Sequence, residues 1–535
     1  MGGGPAISSG GNAAYAHLIT DTRPWYKNSR LILLNLCICL LLITSSTNGY
    51  DGSMMNGLQS VQNWEEEFHN PHGGTLGLFN AIQNIGALAA YPFSPYVADI
   101  LGRRAGIWIG ATIMIVGTII QTASHSFGQF IGARFLIGFG LTFAATAAPL
   151  LVTEIAYPTQ RAQATSMYNT LWYLGSIIAA WTTYGTFRIP NNWAWRIPSA
   201  LQGLPSVLQF FLIWLVPESP RFLINKGKDE QALKTLAYYH AHGNQNDPLV
   251  QYEFEEIKTA IALDKEVASS VGWTTLFRTP GNRRRMRIII AIAFFSQWSG
   301  NGLVSYYLNK VFIAIGITDN STQLLINGIL NIFNFIVAII AGFLCERAGR
   351  RRLFMTSTIG MLVFWTLQSV CFSLYSQDNS KTGAAHTVIA MIFLFYGFYI
   401  DRFITDDLAF TPLIVSYTVE ILPYRLRAKG FVLFNFSISL SLIFNQYVNP
   451  IALRNIGWKY YMVYVAFIAF EVAFCYFYII ETKGRSLEET AALFDGAEVV
   501  AEIEEKAGKV VGIAKHTDGN SSNDSNEKIA VRHVD

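Results

Sequence analysis

The feature that most limits how this chain can fold is a succession of apolar stretches, each near 20 residues long, that begins at Leu31 and recurs almost to residue 480. That length is what an α-helix needs to cross the hydrocarbon core of a bilayer, where each backbone amide must find its partner inside its own segment. Spans are expected near residues 31–50, 76–97, 105–122, 126–150, 164–186 and 198–216. A second set is expected near 287–314, 322–345, 352–374, 386–420, 431–450 and 459–480. The fold class that follows is an all-α membrane protein of twelve transmembrane helices. Charged residues make up only 14% of the chain against 51% hydrophobic ones, about half the charge content of an ordinary soluble domain. A soluble enzyme is therefore excluded, and the net charge of +3 is too small and dispersed for nucleic-acid binding.

Residues 1–30 are expected to form an N-terminal tail, 31–216 a first six-helix half, 217–286 a polar linker with helix-forming stretches, 287–482 a second half, and 483–535 a C-terminal tail. The first thirty residues are glycine-rich and polar, so the run from Leu31 reads as the first span and not as a cleavable signal. Basic residues alternate between successive loops: Arg23, Lys27 and Arg30 precede the first span, Arg103 and Arg104 precede the third, and the linker is rich in Lys and Arg. The positive-inside rule then places both termini and the linker in the cytoplasm. Five cysteines all lie in apolar stretches, where they serve as packing residues. Asn320-Ser321-Thr322 is a glycosylation sequon on the expected outer side.

The halves carry an internal repeat. Asp99, Gly102, Arg103 and Arg104 recur as Glu346, Gly349, Arg350 and Arg351, and Glu154 stands seven residues before Arg161 as Glu420 stands seven before Arg427. Two unrelated motifs repeated in one order argue for two halves related by an axis along the membrane normal, with a binding site between them near mid-membrane. No nucleophile–base pair, phosphate loop or metal-ligand cluster stands outside the spans, which speaks against catalysis and against a metal or other cofactor.

At these residues the chain resembles the sugar porter family of the major facilitator superfamily, over roughly residues 30–490. The ordered motifs are Gly49-Tyr50-Asp51 after the first span, both acidic-Gly-Arg-Arg loops, Arg134 with Gly138 and Gly140, and Trp195-Arg196-Ile197-Pro198. They continue with Pro217-Glu218-Ser219-Pro220-Arg221, Gln297 with Tyr306-Tyr307, and Glu481-Thr482-Lys483-Gly484. Within the family, Gly49 to Ser53, Gln297 to Asn301 and the Glu154–Pro158 spacing look most like fungal lactose permeases and hexose transporters.

The resemblance implies transport of a sugar, with the proton as coupling ion, through a lipid bilayer by a chain that works as a monomer in the plasma membrane. Facilitated diffusion, and a sensor that binds sugar without moving it, are the alternatives. It also implies roles. Asp51, within or just beyond an apolar run, would take up the proton, with Arg134 as its ion-pair partner. On residue type alone Asp51 could equally cap a helix end. Gln297 is a candidate to bond sugar hydroxyls, and by motif position Asn169, Tyr306, Tyr307 and Asn334 would line the same site. Two departures stand out. The family often has a second glutamine beside Gln297 and an asparagine five residues on, where this chain has Ser296 and Gly302, with Asn301 one place earlier; Val415 replaces a tryptophan common in the tenth helix. The smaller side chains leave room for a second sugar ring. Asp99, Arg103, Arg104, Glu154 and Arg161, with Glu346, Arg350, Arg351, Glu420 and Arg427, would form a cytoplasmic gate of ion pairs joining the halves. The expected tenth span also contains Asp401, Arg402, Asp406 and Asp407, which points to a loop bulging from a broken helix or to an error in the coding sequence.

Overall fold

The computed structural model describes residues 18, 25–270, 272–344, 350–378, 380–400, 417, 418, 420–422, 424–482, 493 and 494. Asp401 to Asp407, Glu346 and most of the two tails lie outside these, as do the side chains of Asn169, Arg350 and Arg427.

Among the described residues, twelve helical units correspond to the expected spans and follow one another. In the first half they are α1 (Ser29–Leu58), α2 (Gly74–Ala90), α3 (Arg103–Thr122), α4 (Phe127–Ile155), α5 (Arg161–Thr186) and α6, which is made of Trp193–Leu201 and Leu204–Leu212. In the second they are α7 (Pro280–Trp298 continued by Asn301–Ala314), α8 (Asn320–Leu344), α9 (Arg350–Gln377), α10 (Thr382–Ile400), α11 (Tyr424–Ile456) and α12 (Lys459–Tyr478). Eight helices among the described residues pass as membrane spans on length and hydropathy alone. The linker folds as Pro220–Asn225, Asp229–His240 and Pro248–Ser270, followed by the single turn Thr275–Arg278.

The first helix corrects the expectation. Asn28 caps its start, its side chain accepting from the amides of Arg30 and Leu31, but the helix runs eight residues beyond Tyr50, to Leu58. At 30 residues it is about 45 Å long. Gly49-Tyr50-Asp51 is therefore inside α1, not after it. The polar residues that seemed to end the span, Thr44, Ser45, Thr47, Asp51 and Asn56, are buried against neighbouring helices, so they mark an interior face.

Helices in lipid gain little from apolar contact, so close backbone approach at small residues becomes the main adhesive. A Cβ on Gly49 would lie 1.8 Å from the Trp172 carbonyl oxygen, and one on Gly175 1.8 Å from that of Ser46, which locks α1 to α5. Likewise a Cβ on Gly138 would lie 1.9 Å from the Gln83 carbonyl oxygen, bringing α4 onto α2. Trp195 of the Trp-Arg-Ile-Pro motif is wholly buried in an aromatic nest with Phe68 and Phe130.

The halves meet at the end of the bundle opposite the linker. Asn56 donates to Asn327 (3.2 Å), Ser60 to Gln323 (3.0 Å), Gln59 to the Tyr306 carbonyl (2.8 Å), and Lys310 pairs with Glu65 (3.1 Å). Gly77 of α2 lies against α11, where a Cβ would come within 2.7 Å of the Tyr447 carbonyl oxygen.

Candidate functional site

Three helices bring together a buried acid, an amide and a guanidinium. Asp51 of α1 is fully buried, and Arg134 of α4 is 2% exposed. No direct ion pair joins them. Instead Gln83 of α2 donates its amide to Asp51 Oδ2 (3.4 Å) and accepts from Arg134 Nη2 on its carbonyl (2.5 Å). The expected pairing is thus corrected to a relay through a neutral side chain that presents each of its ends to the charge it complements. The side chain of Gln202 also interacts with Asp51, while Arg134 Nε and Nη1 have no hydrogen-bond partner among the described residues. Gln83 was not legible as a partner, because no motif marks it; the glycine at 138 that draws α4 onto α2 was the available signal.

The second polar region surrounds the break in α7. Gln297 stands just before Ser299 and Gly300, where the helix is interrupted with Gly300 at φ +93°, and Asn301 restarts it. Asn301 Nδ2 donates back across the break to the Ser296 carbonyl (3.2 Å). Asn445 of α11 donates to the Gln297 carbonyl (2.5 Å), and its Oδ1 lies 3.1 Å from the Tyr464 hydroxyl oxygen of α12. Tyr464 and Tyr460 both donate to Asn449 Oδ1 (2.7 and 2.8 Å). Gly302 faces this cluster, and a Cβ added there would lie 2.1 Å from Asn445 Nδ2. The space vacated in α7 is therefore filled by an amide from α11, which sequence reasoning did not find.

Tyr307 is buried and donates to the Gln446 carbonyl, whereas Tyr306 is half-buried and meets the first half through its carbonyl. Asn334 is buried, with Oδ1 unpartnered. It is one of four amides on a single face of α8, with Gln323, Asn327 and Asn331; the spacing of four, four and three residues was visible in the sequence. Asn169 lies on the backbone of α5.

At the linker end, Arg103 bonds Asp99 (3.1 Å) and Glu154 (3.1 Å), while Glu218 accepts from the backbone amides of Arg103 (3.2 Å) and Arg104 (3.3 Å). Burial raises the Glu218 carboxyl above its ordinary pKa, opposed by the amides of Ser219, Arg104 and Arg103 and by the Arg104 charge. Gly102, at φ +104°, turns the chain into this cradle, where a Cβ would lie 2.5 Å from Glu218 Oε2. Arg161 does not meet Glu154. It pairs with Glu253 of the linker (3.4 Å), which also holds His240 (2.7 Å). In the second half Glu420 accepts from Thr482, and the Arg351 amide donates to Glu481 (3.1 Å).

Comparison with known proteins gives this architecture a family. The family model described as "Sugar (and other) transporter" matches residues 36–494. A high-affinity glucose transporter of Kluyveromyces lactis is 28% identical over 466 residues, covering 82% of this chain and 81% of that one. A quinate permease of Emericella nidulans is 26% identical and covers 89% of this chain and 91% of its own length. Among solved structures, the inward-open xylose transporter XylE from E. coli superposes with a TM-score of 0.69 at 20% identity, over 86% of this chain and all of that one. The proton:xylose symporter XylE bound to 6-bromo-6-deoxy-D-glucose gives 0.67, also at 20% identity and over 86% of this chain and 98% of that one. With the duplicated twelve-helix bundle and a family model that spans both halves, the chain belongs to the sugar (and other) transporter family, the sugar porters of the major facilitator superfamily.

Proposed function

We propose that this protein is a proton-coupled symporter of a hexose or disaccharide, working by alternating access in the plasma membrane with its termini and linker in the cytoplasm. The observation that carries the coupling is the buried Asp51, bridged to Arg134 by Gln83. A proton arriving on Asp51 removes the charge that holds the relay, and Arg134 and Gln83 are then free to take other partners. Lys and Arg enrichment in the linker supports the orientation. That XylE is titled a proton:xylose symporter, and that relatives are named glucose transporters, fits this class of substrate.

The test is uptake of labelled glucose, xylose, lactose and cellobiose in a transporter-deficient host with external pH recorded. Sugar-dependent external alkalinisation supports symport. Uptake indifferent to pH makes the protein a facilitator, and surface-expressed protein that moves no sugar makes it a sensor.

The sugar would meet amides and aromatic hydroxyls near the α7 break: Gln297, Asn301, Tyr306, Tyr307 and Asn334, with Asn169 from the first half. Asn445 would stand in for the amide that Gly302 lacks. Asn445→Ala is expected to raise the KM for the transported sugar by about tenfold, the equivalent of one hydrogen bond at roughly 1.4 kcal/mol. Moving the amide back, in the double variant Gly302→Asn with Asn445→Gly, should recover most of that loss. A KM that stays at the wild-type value in Asn445→Ala would remove Asn445 from the sugar site.

A further inference from the structure

One buried acid has no part in the relay of α1, α2 and α4. Glu471, midway along α12, is fully buried, and among the described residues no basic side chain pairs with it. Its hydrogen-bond partner is the hydroxyl of Ser299, whose oxygen lies 3.1 and 3.0 Å from the two carboxyl oxygens. Ser299 is the residue at which α7 breaks, and the ring of Trp365 closes over the next residue, Gly300, where a Cβ would come within 2.6 Å of it.

Hydrogen counting decides what this contact is. Ser299 Oγ is also 2.6 Å from the Phe295 carbonyl, the shortest of its three contacts. A hydroxyl owns a single hydrogen. If that hydrogen goes to Phe295, the oxygen faces Glu471 with lone pairs alone, and the contact is a bond only when the carboxyl carries a proton and donates it. If Glu471 is ionised, the hydroxyl must turn its hydrogen toward the carboxylate and abandon the Phe295 carbonyl at the edge of the break. An ionised, unpaired carboxylate at this depth is expensive, so the two bonding patterns differ in both charge and backbone satisfaction.

We propose that Glu471 is a second proton-binding site, in the half that does not contain Asp51, and that its proton is exchanged as the α7 break rearranges. The step is balanced. The carboxyl gives its proton to water, the Ser299 hydrogen rotates from the Phe295 carbonyl to the carboxylate, and the reverse restores the first pattern. The elements packed on α12 are α9, α7 and α11. Apart from basic residues and Tyr424 at their linker ends, the titratable groups they carry are Cys371 and Tyr375 in α9, Tyr306, Tyr307 and Lys310 in α7, and Tyr447 with far-end Arg454 in α11. Lys310 is engaged by Glu65 at the far end. On α12 itself Cys475 stands one turn away. None of these is hydrogen-bonded to Glu471, so among the described residues its hydrogen-bond partner is Ser299.

The test is infrared difference spectroscopy on the full chain in lipid vesicles, which sees a protonated carboxyl directly and needs no transport. At neutral pH a carboxylic-acid carbonyl band is expected that is absent in Glu471→Gln and retained in Asp51→Asn. The band should fade on alkalinisation, with a midpoint that moves by about tenfold in proton concentration when transported sugar is added. Ser299→Ala should shift the frequency of the band without removing it; this variant carries the test should Glu471→Gln fail to fold. No such band at neutral pH, a band unchanged up to strongly alkaline pH, or a band indifferent to Ser299→Ala would each overturn the proposal. Failure of the Asp51 assignment would appear separately, as sugar accumulation that survives Asp51→Asn while this band stays where it is.

Discussion

Asp51→Asn is expected to leave the protein folded at the surface and still able to equilibrate sugar, but unable to concentrate it. The wild-type protein should take up sugar faster as external pH falls and accumulate it above the outside concentration. In the variant, uptake should lose the part of its pH dependence that Asp51 supplies, and internal sugar should stop at the external level. The physical reason lies in the relay. Asparagine keeps an oxygen in reach of the Gln83 amide, 3.4 Å from Asp51 Oδ2 in the native protein, so the packing of α1, α2 and α4 survives. What it lacks is any means of carrying a charge or a proton, so Arg134 has no opposite charge to be held by or released from. Sugar counterflow, which asks only for exchange, should persist. Accumulation retained in Asp51→Asn would sink the assignment.

Gly77→Leu is expected to have the second large effect, and on a different step. A Cβ at Gly77 would already be 2.7 Å from the Tyr447 carbonyl oxygen across the seam between halves, and a leucine cannot fit without separating α2 from α11. Overpacking of this kind costs about 1–3 kcal/mol, which moves a two-state equilibrium by roughly 5- to 150-fold. Because the clash exists only while the far end is shut, the population should shift toward the state open at that end. Net transport should collapse by at least about tenfold while sugar binding from that side persists. A cysteine introduced at Asn56, now buried in the same seam, should become reactive to an impermeant thiol reagent. Gly185→Leu is the control, since nothing lies within 4 Å of that position. Unchanged labelling and transport in Gly77→Leu would mean that the seam is not what closes the far end.

The number and order of the helices were legible because lipid imposes a length on every span, and length can be counted. Boundaries were less so. α1 was cut short at Tyr50 because its later polar residues resemble an exit into water, when they turn toward a protein interior. The acidic-Gly-Arg-Arg repeat marks the loop at Arg103, yet Glu218, which accepts from two of its amides, belongs to a motif over 100 residues away. Likewise the loss of an amide at Gly302 could be seen in the sequence, while its replacement by Asn445 could not, because only the packing of α11 on α7 sets the two side by side. Arg161 was read only as a member of the cytoplasmic gate, and the acid it meets comes from the linker.

That last contact has a mechanical meaning. The helix Pro248–Ser270 is pinned to the first half through Glu253, Arg161 and His240, whereas Leu276, in the turn Thr275–Arg278, is packed into the core of the second half. Most of the linker therefore rides as cargo on one half and its last turn rides on the other. What joins them is the remainder of that helix and the short chain up to Thr275, a connection of fixed contour length. As long as both anchorages hold, that tether is a stop, and it caps how far the two halves can swing apart at the linker end however strongly proton or sugar drives them.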